Sequence, residues 1–273
     1  MGGSSWGIQK HWGPCKAQVS FPKSHNVGVG QMQSPTGVAI DLDGKILVAD
    51  SEQHKVHVFN KDGTPGQPVG TAKGKEPGQL YAPRDVAVDS SGRIIVVESG
   101  NHRVQVFNKD LTPFKCIGAV DPAGKPAEGT EPGQFCNPRG VAVNHHGHLV
   151  IADCGNHRIQ VLAIDQPGNV ASIVRCIGSQ GSEEGQLFFP YAVAVDHQGT
   201  IFVADSGNHR VQAFLEDGTP LRCGIGAAGR GFGPGQLEWP AGVAVSKDGL
   251  VAVSDSANHR IQLFEPAAPG GGG

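Results

Sequence analysis

The chain has 273 residues, a formal net charge of −3 and 38% hydrophobic residues. That balance argues against a bulk-basic nucleic-acid binder, although a local basic patch stays open, and the lack of any run of 18 apolar residues leaves no candidate membrane helix. With 41 glycines and 19 prolines, the composition points to short strands punctuated by turns, since no stretch holds Ala, Leu, Glu and Lys in helical register.

At the N-terminus, MGGSSWGIQK lacks the apolar core of a secretory signal, and Trp6 stands where a myristoylation pattern wants Ser or Thr. The segment SSWGIQKHWG reads as a single strand with no blade of its own. From Gly30 onward the chain repeats itself. The motif G-Q-x-x-x-P starts at Gly30, Gly78, Gly133, Gly185 and Gly235, with its prolines 48, 55, 52 and 50 residues apart. A second motif moves in step with it: DSEQHK at Asp50, ESGNHR at Glu98, DCGNHR at Asp153, DSGNHR at Asp205 and DSANHR at Asp255.

Each copy predicts four strands. The first is small and β-branched (GVAI, DVAV, GVAV, AVAV, GVAV), from Gly37, Asp85, Gly140, Ala192 and Gly242. A four-residue turn opens on Asp, Asn or Ser and closes on Gly, which suits a type I turn with a left-handed glycine. The second strand (KILVAD, RIIVVE, HLVIAD, TIFVAD, LVAVSD) and the third (KVHVFN, RVQVFN, RIQVLA, RVQAFL, RIQLFE) are apolar enough to be packed on both faces. The fourth is weaker, clearest in FKCIG, VRCIG and LRCGIG. This is the signature of propeller blades. The expected fold is all-β, a closed β-propeller of five four-stranded blades spanning residues 30–265. The N-terminal strand within residues 1–29 completes the last blade, and residues 266–273 form a Pro/Gly-rich tail. Six blades are the alternative. The six cysteines (15, 116, 136, 154, 176 and 223) form no C-x-x-C pair and read as reduced thiols of a cytoplasmic protein.

The strings ADSGNHRVQAF, ADCGNHRIQVL and ESGNHRVQVF carry the Asn-His-Arg core of the NHL repeat. The chain from Gly30 to Phe264 resembles the C-terminal propellers of tripartite-motif NHL proteins. The resemblance implies a target-recognition module of a ubiquitin ligase or a post-transcriptional regulator. Family propellers usually have six blades, and RING, B-box and coiled-coil segments usually precede them. Zinc spacings and heptads are missing from this sequence.

His54, His102, His157, His209 and His259 recur once per blade. A residue present in every blade is expected to serve the blade, so they are assigned to scaffold, with Asp50, Glu98, Asp153, Asp205 and Asp255 locking the turn. Gln105, Gln160, Gln212 and Gln262 are expected to face the adjacent blade or a buried water. Function is expected where the copies disagree, on the channel rim: Tyr81, Arg84, Asn137, Arg139, Phe189, Tyr191 and Trp239, with Phe188 and Glu238 beside them. Aromatics and arginines there suit a protein or peptide partner, and single-stranded RNA is the alternative. No cofactor, metal, membrane contact or catalytic residue is expected, and the chain is expected to be a monomer. Propeller lactonases, esterases and an amidating lyase form the enzyme alternative. A calcium centre would need several oxygen ligands at the first-strand starts, where Asp85 is the one carboxylate.

Overall fold

The computed structural model describes residues 6–11, 27–28, 30–164, 171–226 and 229–266, the strand 6–11 by its backbone alone. Cys15, the Cys223 side chain and tail residues 267–273 lie outside the described residues. The lone strand is β1 (Trp6–His11). Blade one holds β2 (Pro35–Ile40), β3 (Ile46–Asp50) and β4 (Lys55–Phe59). Blade two holds β5 (Pro83–Val88), β6 (Ile94–Glu98), β7 (Arg103–Phe107), β8 (Pro113–Val120) and a short β9 (Pro126–Ala127). Blade three holds β10 (Val141–Val143), β11 (Leu149–Asp153), β12 (Arg158–Ala163) and β13 (Ser172–Ile177). Blade four holds β14 (Pro190–Val195), β15 (Ile201–Asp205), β16 (Arg210–Phe214) and β17 (Pro220–Ile225). Blade five holds β18 (Pro240–Val245), β19 (Val251–Asp255) and β20 (Arg260–Pro266). The fold is a five-bladed β-propeller, each blade a meander of antiparallel strands. No helix among the described residues is long and apolar enough to cross a membrane.

The repeat turns form as their residues dictate. Gly44, Gly92, Gly147, Gly199 and Gly249 close the first hairpin of each blade at φ 78 to 87°, a region open to glycine without a Cβ clash. The opening side chain holds the loop: Asp41 Oδ1 accepts the amides of Asp43 and Lys45, and Asn144 Oδ1 those of His146 and His148.

Two departures from the four-stranded expectation have local causes. Blade one pairs three strands, and its outer segment is reduced to single bridges at Val56↔Val69 and Phe59↔Pro65. Pro65 and Pro68 lack the N–H that a ladder needs. Blade two gains β9, which pairs with the end of β8.

The chain divides into two compact units, residues 20–156 with 160–174, and residues 1–19, 157–159 and 175–273. In the first unit, blade one packs on blade two through Leu47, Ala49, Val56 and Val58 against Val86, Ile94, Val96 and Phe107. Blade two packs on blade three through Ile95, Val97, Val104 and Val106 against Val141, Leu149, Ile151 and Leu162. In the second unit, Phe202, Val211 and Ala213 of blade four meet Val251, Val253 and Phe264 of blade five. One rule governs these interfaces. On the first strand, the face turned to the following blade is small (Gly37 and Ala39, Ala192 and Ala194) and the face turned to the preceding blade is β-branched (Val86 and Val88, Val243 and Val245). The two kinds of face interlock at the close packing of protein interiors. In the same unit β1 runs antiparallel to β20, with Ile8 opposite Phe264, so the chain's first strand completes its last blade as expected.

Candidate partner-binding rim

The rim is built by the two repeat motifs acting on each other. A carboxylate with 0% exposure ends the second strand of every blade: Asp50, Glu98, Asp153, Asp205 and Asp255. Each accepts the amide two residues before the blade's conserved-position proline, from Gln33, Tyr81, Cys136, Phe188 and Glu238 at 2.6 to 2.9 Å. The Asn of the NHR motif donates to the same carboxylate and to a loop carbonyl, as Asn101 does to Glu98 Oε2 and Gly74 O. Arg103, Arg210 and Arg260 pair with Glu98, Asp205 and Asp255 at 2.7 to 2.8 Å. Gln105 lies opposite Val96, on the face of blade two that packs on blade one, as expected. Gln105 donates to Glu98 and Gln79 O and accepts the amide of Gly78, so it ties the loop of its own repeat. In blade one, His57 takes the glutamine's place, 3.3 Å from Asp50, and burial pushes its pKa down.

The repeat histidines reach further than the motif suggests. His54, His102, His157 and His209 each sit in the left-handed region at φ 49 to 56°. Their Nδ1 atoms accept the amides of Ala82, Asn137, Phe189 and Trp239 at 3.0 to 3.2 Å. Those acceptors' partners are the pre-proline residues of the next repeat, themselves at φ 48 to 49°. A backbone amide only donates, so each imidazole is unprotonated at Nδ1 and carries its hydrogen on Nε2. A non-glycine residue in this region is strained, and the histidine bond is what holds it.

In the first unit this device presents polar variants. Tyr81 is 36% exposed, flanked edge-on by His54 at 5.2 Å and capped by Lys73 Nζ, 4.7 Å from its ring centre. Arg84 donates to Ser99 Oγ, and Arg139 lies against the buried Cys154. Asn137 is half-buried. In the second unit the same positions are aromatic. Phe188 and Phe189 stand 4.6 Å apart with His157 stacked against Phe188, and Trp239 meets His209 edge-on at 5.6 Å and Tyr191 at 6.3 Å. Trp239 is 40% exposed. Arg230, the exposed cation of that unit's loop, is bound to Glu238 at 2.5 Å. Phe232, 73% exposed in the glycine-rich loop GRGFGPG, escaped the sequence reading, although a lone aromatic among glycines was its signal.

Three groups bear on chemistry. His102, Glu128 and Cys136 bring a nitrogen, a carboxylate and a sulfur within 4.8 Å of one another. They fit a metal poorly. His102 Nδ1 is taken by the Asn137 amide and its Nε2 is protonated, while burial and Glu128 push the Cys136 thiol up so that it keeps its proton and donates to Glu128. Burial likewise pushes Cys154 up to about 11, far from a thiolate nucleophile. Asp85, half-buried at the start of β5, is pushed up to about 7 by desolvation. Both of its oxygens are engaged by backbone, Oδ1 by the Val86 amide and Oδ2 by the Val141 amide, each at 2.9 Å. It bridges blades two and three, and Gly37 opposite leaves room for it, since a Cβ there would come 2.3 Å from Oδ1.

The profile of a family described as NHL repeat matches residues 32–59, 80–107, 135–162, 189–214 and 237–264. The chain is 36% identical over 96 residues to protein brain tumor of Drosophila melanogaster, covering 34% of this chain and 9% of that protein. It is 31% identical over 105 residues to the human E3 ubiquitin-protein ligase TRIM32, covering 36% of this chain and 16% of the relative. These alignments thus span a small part of each relative. Among solved structures, virginiamycin B lyase from Staphylococcus aureus superposes with a TM-score of 0.57 at 14% identity, over 86% of this chain and 71% of that one. At that identity the likeness is one of fold.

Proposed function

Because this chain belongs to the NHL-repeat family, we propose that it is a non-enzymatic recognition module that binds a protein or peptide segment through its rim. In this reading it is the target-recognition part either of a ubiquitin ligase, as its TRIM relative is named, or of a post-transcriptional regulator, acting in the cytoplasm. The observation that carries the reading is the aromatic row Phe188, Phe189, Tyr191 and Trp239 in the second unit. Rings held by left-handed turns and histidine bonds lose little freedom on binding, and aromatic anchors of this kind dominate protein interfaces. Tyr81, Arg84, Asn137 and Arg139 form the polar counterpart in the first unit. Against an enzyme stands the placement of Asp85, whose two oxygens each hold a backbone amide and tie blade two to blade three, a structural use of the carboxylate. Against single-stranded RNA stands the pairing of the nearby cation Arg230 with Glu238.

The experiment is a parallel selection on the purified chain with a displayed random-peptide library and a random single-stranded RNA pool. Peptides should be enriched, and Trp239→Ala or Tyr191→Ala should weaken the best of them by about 2 kcal/mol, roughly 30-fold. RNA retained with a steep salt dependence and weakened by Arg84→Glu/Arg139→Glu would replace the peptide reading with the RNA one.

A further inference from the structure

Blade three departs from blades one and two at the turn between its first two strands. It runs Asn144-His145-His146-Gly147-His148, where the equivalent turns run Asp41-Leu42-Asp43-Gly44-Lys45 and Asp89-Ser90-Ser91-Gly92-Arg93. Three histidines stand on one turn, opened by a neutral amide instead of a carboxylate. All five residues belong to one compact unit. Their frame is fixed by hydrogen bonds. Asn144 Oδ1 accepts the His146 and His148 amides at 3.0 and 2.9 Å, and the Gly147 amide donates to Asn144 O at 2.9 Å.

On that frame the rings gather. The His145 and His146 ring centroids are 3.9 Å apart, and those of His146 and His148 are 5.6 Å apart. Ring nitrogens of His145 and His146 come within 4.8 Å of each other. His145 and His146 are exposed and His148 is half-buried. Imidazoles that share one zinc ion at about 2.0–2.1 Å, in tetrahedral geometry, hold their centroids about 5 Å apart and their nitrogens about 3.3 Å apart. The two observed centroid spacings lie on either side of the first value. Rotation of exposed side chains between rotamers closes the remaining gap to the second. Unlike His102, neither His145 nor His148 gives a ring nitrogen to a hydrogen bond among the described residues.

We propose that this turn is a divalent-metal site that takes Zn²⁺ through the three imidazoles and leaves a fourth position to water. Nitrogen ligands without a carboxylate select zinc over magnesium or calcium, and three protein ligands with an open position are a zinc arrangement. The site sets aside, for this one turn, the metal-free chain expected from the sequence.

Isothermal calorimetry of the chelator-treated intact chain with zinc chloride, beside NMR spectra of the histidine rings, tests this. One ion should bind per chain, and the ring signals of His145, His146 and His148 should shift while those of His54 and His102 stay. His145→Gln, His146→Gln and His148→Gln should each weaken binding by at least the roughly 10- to 100-fold that loss of a ligand's own hydrogen-bond partner costs. None of them should move the melting temperature of the metal-free protein, because the turn is held by backbone and Asn144. Cys136→Ser is the control for the His102, Glu128 and Cys136 group and should bind zinc as the intact chain does. Binding weaker than about 100 µM, ring shifts confined to other histidines, affinity that survives the turn variants, or affinity lost in Cys136→Ser would each overturn the proposal.

Discussion

Residues at equivalent positions of the repeat do not carry equal weight, and burial decides the difference. Arg103 is 3% exposed and gives its guanidinium to Glu98, Lys75 O, Glu76 O and Gln79 O, whereas Arg260 makes a similar set from a side chain 20% exposed. Removing one partner of a buried pair strands the other charge, at a cost of about 3–5 kcal/mol. Arg103→Ala should therefore lose about that much in urea unfolding, and Arg260→Ala clearly less, because water reaches its site. Glu98 adds to the asymmetry, since its burial raises its pKa against the pull of Arg103. Asp85 makes a separate pH-dependent contribution. Its folded pKa of about 7 lies above the 3.8 ordinary for an aspartate. Between these values the unfolded chain has released a proton that the folded chain retains, so stability falls as pH rises through that window. Comparison of thermal melts with Asp85→Ala should show the intact protein losing ground to the variant between about pH 4 and 7. A constant gap would remove the assigned titration.

At the scale of the element, the histidine that ends each turn is a staple to the pre-proline residue of the next repeat. His209 illustrates the consequence. Burial first, and Arg230 second, lower its pKa below the ordinary 6.5. Protonation would put an N–H on Nδ1, facing the Trp239 amide. Because the folded pKa is depressed, this contribution is present above the unfolded value and is lost as pH falls below about 6.5. His209→Ala should cost about 1 kcal/mol, speed amide hydrogen exchange at Trp239 and flatten the acid dependence. Unchanged exchange at Trp239 would show that the bond does not hold the turn. Little of this was legible beforehand. The strands, their turns and the carboxylate lock follow from local spacing, so five copies in step disclosed them. The loss of blade one's outer strand was equally open to reading in Pro65 and Pro68. The left-handed φ of Asn137, Phe189 and Trp239 was not, because residues before proline ordinarily favour extended backbone. Only a bond from the preceding repeat reverses that preference. The Asp85 bridge was hidden for the same reason: its partner, Val141, lies 56 residues away.

For the whole molecule, the repeat rule explains why the chain's two end strands belong together. Blade five supplies three strands from its own repeat, and without β1 its outer strand β20 would present unpaired amides and carbonyls. Pairing of Trp6 with Pro266 through to His11 with Gln262 covers that edge, apart from the irregularity between Ile8 and Lys10. Such a contact differs from the blade-to-blade cores. They join neighbours in sequence, whereas this one joins the first strand to the last, and its loop-closure cost is met only when nearly the whole chain is folded. Deletion of residues 1–11 should therefore leave the strands of blades one to three largely protected from hydrogen exchange. It should strip protection from β20 and lower the melting temperature by roughly 2–4 °C for each kcal/mol lost. It should also act mainly on the unfolding rate, since a contact formed late contributes little to the transition state. If the shortened chain keeps both its melting temperature and the protection of β20, the edge is held by the β19 side of the sheet alone, and the N-terminal strand plays no part in stabilising the last blade.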